Sequence, residues 1–198
     1  LMTRQAWKTM VTGRQGPVVM DVPFDIFKES ATTETPDPSV WSANISSRCG
    51  ADPDGVVKAT DMLISAEKPV IVVGQGVRYG GAAAELLQLA ERLKIPVAAS
   101  ASGLGALPVE HPLSLGLVQR GGTYQANHAC RQADILLAIG VRFDDRTSSS
   151  WIPGYSFTIP PTRLIHVDID PEEIGRNYPV ALGPVSYTHL TLPTTVRV

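Results

Sequence analysis

Pro69-Val70-Ile71-Val72-Val73 is a run of five apolar residues, four of them β-branched, with no polar side chain among them. A strand without polar alternation is buried on both faces, the condition of a parallel strand covered by helices on each side. Gly74-Gln75-Gly76 closes the run, and residues 80–94 follow with Ala83, Leu86, Leu87, Leu89, Ala90 and Leu93 on one helical side. The cycle then repeats. Residues 53–66 read as a helix, 96–99 as a strand, 123–131 as a helix, 134–139 and 163–167 as strands, and Pro171-Glu172-Glu173 as the start of another helix. Strands alternating with helices define an α/β fold with a doubly wound, mostly parallel, Rossmann-like sheet over residues 53–184.

The chain upstream reads differently. Residues 2–12 carry Trp7, Met10 and Val11 at helical spacing with Gly13 as a stop, and Val18-Val19-Met20-Asp21-Val22, closed by Pro23, reads as a buried strand. Residues 1–29 read as a helix and a strand of α/β type and are too few to make a domain alone. Residues 30–52, with Thr35-Pro36-Asp37-Pro38, read as a linker. Residues 185–198 break the pattern: Val185-Ser186-Tyr187-Thr188-His189-Leu190 is what the end of a transposase sequencing adapter encodes in frame. This tail is expected to be non-native, and His189 is given no role.

With 43% hydrophobic and 18% charged residues the chain has enough apolar material for a core and too many charges for a bilayer span. A net charge of -2 without runs of like charge gives no footprint for nucleic acid or a membrane surface, so neither is expected as a partner. Cys49 and Cys130 lie far apart with no second ligand at metal spacing, which excludes a disulfide framework or a zinc site and makes the cytoplasm the expected compartment. No paired carboxylates, nucleophile elbow or Walker loop can be assigned, so no catalytic residue and no metal ligand is expected in this chain.

Four segments are suited to binding. Gly74-Gln75-Gly76, between a strand and a helix, is either a backbone site for an anion or a tight turn; its spacing to Gly80 and Gly81 departs from G-x-G-x-x-G. Gly121-Gly122-Thr123, beside Arg120, is a second such end or a loop with a threonine N-cap. Asp168 follows a strand at the sheet edge where it can accept ribose hydroxyls, whereas Asp170 before Pro171 is better placed to cap a helix. Gly140-Val141-Arg142-Phe143-Asp144-Asp145-Arg146 is either a self-satisfied ion-pair cluster or a place where Arg142 meets a planar cofactor. Tyr124, His128, Trp151 and Tyr155 read as packing.

In order and spacing, several segments together resemble the large, catalytic subunit of acetolactate synthase and its thiamine-diphosphate-dependent relatives. They are Gly13-Arg14-Gln15-Gly16-Pro17-Val18-Val19-Met20-Asp21-Val22-Pro23, Lys68 through Gly76, Ser102-Gly103-Leu104-Gly105-Ala106-Leu107-Pro108, Gly140 through Arg146, and His166-Val167-Asp168-Ile169-Asp170-Pro171-Glu172-Glu173-Ile174-Gly175. The resemblance implies a three-domain enzyme of which residues 1–29 are the end of the pyrimidine-binding domain and 53–184 most of the central domain. It implies that thiamine diphosphate and Mg²⁺ are held by domains outside this chain, together with the catalytic groups, so that the chain alone is inactive. By the same resemblance the central domain binds FAD, which does no net redox chemistry, and the whole enzyme decarboxylates pyruvate and passes the two-carbon unit to a second 2-oxo acid in branched-chain amino-acid biosynthesis. Homodimers or homotetramers, with or without a regulatory subunit, are the implied assembly.

Carried over residue by residue, the implied FAD contacts are Arg14, Gln75, Gly76, Ser100, Ala101, Gly121, Gly122, Thr123, Arg142, Asp168 and Ile169, with Arg146 near the substrate channel. One departure is visible. Where many acetolactate synthases have Gly-Met-His-Gly-Thr, this chain has Gln119-Arg120-Gly121-Gly122-Thr123, without the Met and His that line the flavin there. The alternatives are another thiamine-diphosphate lyase or decarboxylase, a stand-alone dinucleotide-binding domain, and a non-catalytic relative that mediates assembly.

Overall fold

The computed structural model describes residues 2–32, 37, 39 and 50–186. It divides into two units, Leu1–Arg48 and Cys49–Val198. Most of the expected linker, Cys49 and residues 187–198 lie outside the described residues.

The first unit contains α1 (Met2–Val11) and α2 (Phe24–Lys28), neither of which buries a side chain. Gly13, at φ 61, follows α1 in the left-handed conformation that ends helices. Residues 18–22, expected as a buried strand, form none: the segment is unpaired among the described residues, and Val19 is 91% exposed. The apolar sequence alone cannot make a strand. Its backbone groups need a neighbouring ladder, and this unit has no other strand among its described residues.

The second unit opens with α3 (Pro53–Ser65), where the Asp52 side chain accepts the Gly55 N–H at 3.3 Å and Pro53 sits where no intrahelical donor is needed. Five strands follow: β1 (Pro69–Val73), β2 (Val97–Ala99), β3 (Ser114–Leu117), β4 (Ile135–Ile139) and β5 (Arg163–Val167). They form one all-parallel sheet in the order β3-β2-β1-β4-β5. The helices between them are α4 (Gln75–Gly80), α5 (Ala83–Leu93) and α6 (Tyr124–Gln132).

Alternate residues of the central strands face opposite layers. Ile71, Val73, Leu137, Ile139, Ile165 and Val167 pack with Leu63 of α3 and Leu86, Leu89 and Ala90 of α5. Val70, Val72, Leu136, Ala138 and Leu164 pack with Ala126 and Cys130 of α6 and with Phe143 and Phe157. At roughly 1.5–3 kcal/mol per large apolar side chain, burial in these two layers dominates what holds the unit together. Cys130 is fully buried, and burial pushes its thiol well up, so it packs as a small apolar group.

At the amino edge of the sheet, Asp134 joins two strands. Its carboxylate accepts the N–H groups of Glu67 at 2.7 Å, Lys68 at 3.0 Å and Ile135 at 2.8 Å, tying the start of β1 to the start of β4.

Within the second unit the structure also refines the sequence reading. The helix expected over 80–94 forms as α5 (Ala83–Leu93), and a short helix not expected, α4 (Gln75–Gly80), precedes it, with Gly81 (φ 68) turning the chain between the two. The strand β3 was not anticipated, since Gly116 interrupts its apolar pattern; the register shifts between Val97 and Ala98 beside it. The helix expected from Pro171 is a series of turns: Asp170 Oδ1 accepts the Glu172 N–H at 3.0 Å, and Gly175 at φ 78 halts propagation. Past them, residues 181–186 run along β5, with His166 N–H donating to the Leu182 carbonyl and Ser186 N–H to the Asp168 carbonyl, both at 2.9 Å.

Candidate functional site at the carboxyl edge of the sheet

A doubly wound sheet opens a crevice where the strand order reverses, here between the carboxyl ends of β1 and β4. The two strands approach backbone to backbone. Gly74 N–H donates to the Ile139 carbonyl at 3.0 Å, and Gly76 N–H to the Gly140 carbonyl at 3.3 Å. A Cβ on Gly74 would overlap the Gly140 carbonyl oxygen, and one on Gly76 would fall 2.7 Å from the Gly140 Cα. Gly103, in the short 3₁₀ turn Ala101–Gly103 after β2, lies against the Val73 carbonyl with the same lack of room, and buried Ser100 donates its N–H to that carbonyl at 2.9 Å.

The loop after β3 is internally bonded. Gly122 N–H donates to the Gln119 carbonyl at 2.9 Å and Thr123 N–H to the Leu117 carbonyl at 2.8 Å. Thr123 Oγ1 donates to the Leu115 carbonyl at 2.6 Å and accepts from Ala126 N–H at 3.3 Å, which makes Thr123 the N-cap of α6. Asn127 Nδ2 donates to the Gln119 carbonyl at 2.9 Å, Tyr155 Oη to the Arg120 carbonyl at 3.1 Å, and the Arg120 guanidinium to Ser150 Oγ. Tyr155 therefore clasps this loop rather than merely packing.

After β4, Arg142 is exposed and Phe143 is buried at φ 50, a conformation that costs a non-glycine residue about 1–3 kcal/mol. The Phe143 ring packs edge-on against Phe157, His166 and Tyr178 at centroid distances of 5.3, 5.4 and 5.3 Å. Trp151 Nε1 donates to the Phe143 carbonyl at 2.9 Å. The ion-pair cluster weighed for this segment does not form: among the described residues no ion pair joins Arg142, Asp144, Asp145 and Arg146. Asp144 instead accepts the Thr147 N–H at 2.8 Å and shapes the turn that leads to left-handed Ser149, Ser150 and Trp151.

After β5, Asp168 is buried and its Oδ1 accepts the Asp170 N–H at 3.0 Å. Burial raises its pKa; the Asp170 N–H and nearby His166 oppose the rise, while Glu173 and Asp170 add to it. His166, also buried, is pushed down by the same desolvation, and its Nε2 lies 2.8 Å from the Val141 carbonyl, which can only accept, so Nε2 bears the proton. Glu173 is buried with Arg176 Nη1 at 3.2 Å.

Gln75 and Gly76 after β1, Ser100 and Ala101 after β2, Gly121, Gly122 and Thr123 after β3, Arg142 and Arg146 after β4, and Asp168 and Ile169 after β5 thus all follow carboxyl ends of one sheet. Gln75 is exposed, its Nε2 donating to Tyr79 Oη at 2.7 Å, and Ile169 is half-buried. Arg14 belongs to the first unit and is exposed there. Asn177, unnoticed in the sequence, reaches the carbonyls of both Arg142 and Phe143; only its distance in sequence from Arg142 concealed it.

An all-parallel five-stranded sheet with helices packed on both faces defines a doubly wound α/β fold. The chain belongs to the thiamine pyrophosphate enzyme family: residues 56–194 match the family's central domain. It is 40% identical over 176 residues to the "Probable acetolactate synthase large subunit" of Methanocaldococcus jannaschii, covering 88% of this chain and 29% of that protein. It is 36% identical over 178 residues to the acetolactate synthase isozyme 3 large subunit of Escherichia coli, covering 87% of this chain and 30% of that one. The solved benzoylformate decarboxylase of Polynucleobacter necessarius shares the fold, with a TM-score of 0.73 at 24% identity over 98% of this chain and 35% of that one. The chain therefore spans under a third of the length of these two curated relatives.

Proposed function

We propose that this chain is the cofactor-binding central domain of a thiamine-diphosphate-dependent carboligase of the acetolactate synthase type, which decarboxylates pyruvate and joins the two-carbon unit to a second 2-oxo acid. The observation that carries the reading is the 36–40% identity to acetolactate synthase large subunits over nearly nine-tenths of the chain. Thiamine diphosphate, when bound, supplies the carbanion chemistry. It and Mg²⁺ are assigned to the domains outside this chain, so the chain by itself turns nothing over.

The polar rim is assigned to FAD, and its donor set fits a dinucleotide. Arg142 offers an exposed guanidinium for a diphosphate, Gln75 a neutral amide, and Asp168 a carboxylate acceptor for ribose hydroxyls. The N–H groups of Gly76, Gly122 and Thr123 face carbonyls of their own chain, so phosphate contacts fall to side chains. Arg146, exposed after β4, is assigned to the substrate channel. No helix among the described residues is long and apolar enough to cross a membrane, and we place the enzyme in the cytoplasm as a homodimer or homotetramer.

A second reading, a thiamine-diphosphate decarboxylase without flavin, rests on Gln119-Arg120-Gly121 and on the tie between Arg120 and Ser150. Gel filtration of the 198-residue chain after incubation with FAD separates the two. The carboligase reading expects one flavin retained per chain and no acetolactate from pyruvate. Absence of retained flavin favours the second reading, and turnover by the chain alone contradicts both.

A further inference from the structure

The backbone that carries Arg142 is held from outside its own strand. Asn177 Nδ2 lies 3.1 Å from the Arg142 carbonyl and 3.1 Å from the Phe143 carbonyl. An amide nitrogen has two N–H donors, one for each. That both carbonyls reach a single nitrogen means they turn to one side, and the left-handed Phe143 between them provides the bend. Trp151 takes the Phe143 carbonyl from a second direction, and His166 takes the Val141 carbonyl from β5. Side chains from three separate segments thus fix three consecutive residues, while the Arg142 side chain stays exposed beside the switch point of the sheet. A segment held in a sparsely populated conformation by partners this distant in sequence is over-determined, which is how preorganised sites are built.

We propose that Asn177 is a positioning residue: by bonding the Arg142 and Phe143 carbonyls it sets Arg142 for a phosphate-bearing ligand at the carboxyl edge. This rests on the reading of Arg142 as a nucleotide contact. Asn177 is itself exposed on a turn, so its replacement removes donors without opening the core. His166 and Trp151 assist but are less separable, because the first is buried in the core.

The test is a double-mutant cycle read by calorimetric titration of ADP into the 198-residue chain carrying Arg142→Ala, Asn177→Ala, or both. Arg142→Ala is expected to weaken ADP binding about tenfold, the scale of one charge-assisted hydrogen bond. Asn177→Ala is expected to weaken it by a similar factor, and the double variant by no more than Arg142→Ala alone. Asn177→Leu, of similar size, uncharged and without a donor, is expected to give the same loss and keeps the cycle usable if the alanine variant does not fold. Unchanged affinity in the Asn177 variants, or losses that multiply in the double, overturns the positioning role while Arg142 remains a contact. Affinity unaffected by Arg142→Ala, or no ADP binding by the unsubstituted chain, overturns the nucleotide reading and the positioning role with it.

Discussion

Gly76 and Gly140 meet without side chains between them: the Gly76 N–H donates to the Gly140 carbonyl at 3.3 Å, and a Cβ on Gly140 would fall 2.5 Å from the Gly76 Cα. Two strand ends can close this tightly only where both residues lack a Cβ. Gly140 is also at φ 60, so alanine there suffers backbone strain and overlap together. Gly140→Ala is expected to cost at least ~3 kcal/mol in a denaturant titration. Gly105→Ala, at φ 87 with nothing within 4 Å, is expected to cost about 1–2 kcal/mol from strain alone. Equal costs at the two positions would mean the strand ends do not meet as described.

Asp134 joins β1 to β4 at the opposite edge. Slight burial works to raise its pKa, but the N–H groups of Glu67, Lys68 and Ile135 outweigh it and hold the carboxyl below its ordinary value. A folded-state pKa below the unfolded one gives stability that is present above about pH 3.9 and lost as pH falls through the folded value. Asp134→Ala is expected to lower stability by about 1.5–3 kcal/mol at neutral pH. The gap between variant and parent should shrink in thermal melts taken below about pH 4.

Asp168 has the opposite sign. Burial raises its pKa, so its contribution to stability is present below the ordinary carboxylate value and lost as pH rises through the folded value. At pH 7 the charged form opposes folding. Asp168→Asn keeps an acceptor for the Asp170 N–H, and is expected to raise the melting temperature at pH 7 by about 2–4 °C per kcal/mol relieved, with no gain near pH 3. A stabilising replacement that weakens nucleotide binding is the mark of a residue kept for a ligand. A lower melting temperature at pH 7 would show that Asp168 is structural.

Thr123 is expected to behave as a cap. Thr123→Ala removes the acceptor for the Ala126 N–H and the donor to Leu115, and should cost about 1–2 kcal/mol by chemical denaturation. Thr123→Ser, which keeps the hydroxyl, should recover most of it.

The sheet was legible in the chain mainly through β1 and β4, apolar runs of five residues whose composition points to burial on both faces. β3 was not, because Ser114-Leu115-Gly116-Leu117 is only four residues long with a glycine inside it; its pairing with β2 comes from the tertiary structure. The apolar residues 18–22 failed in the other direction, since β-propensity without a partner strand gives no ladder. At the candidate site, Gly74 and Gly76 serve close contact with Gly140, a role that sequence cannot separate from anion binding. The clasp of Asn177 on Arg142 spans 35 residues and has no local signature.

The measurement that bears most directly on the proposed carboligase is an assay of the protein encoded by the complete reading frame that contains this domain, supplied with pyruvate, thiamine diphosphate, Mg²⁺ and FAD. Acetolactate should form, the rate should fall when either thiamine diphosphate or FAD is withheld, and Arg142→Ala should raise the FAD concentration needed. Release of CO₂ from pyruvate with only a free aldehyde as product, at a rate indifferent to FAD, would contradict the carboligase reading.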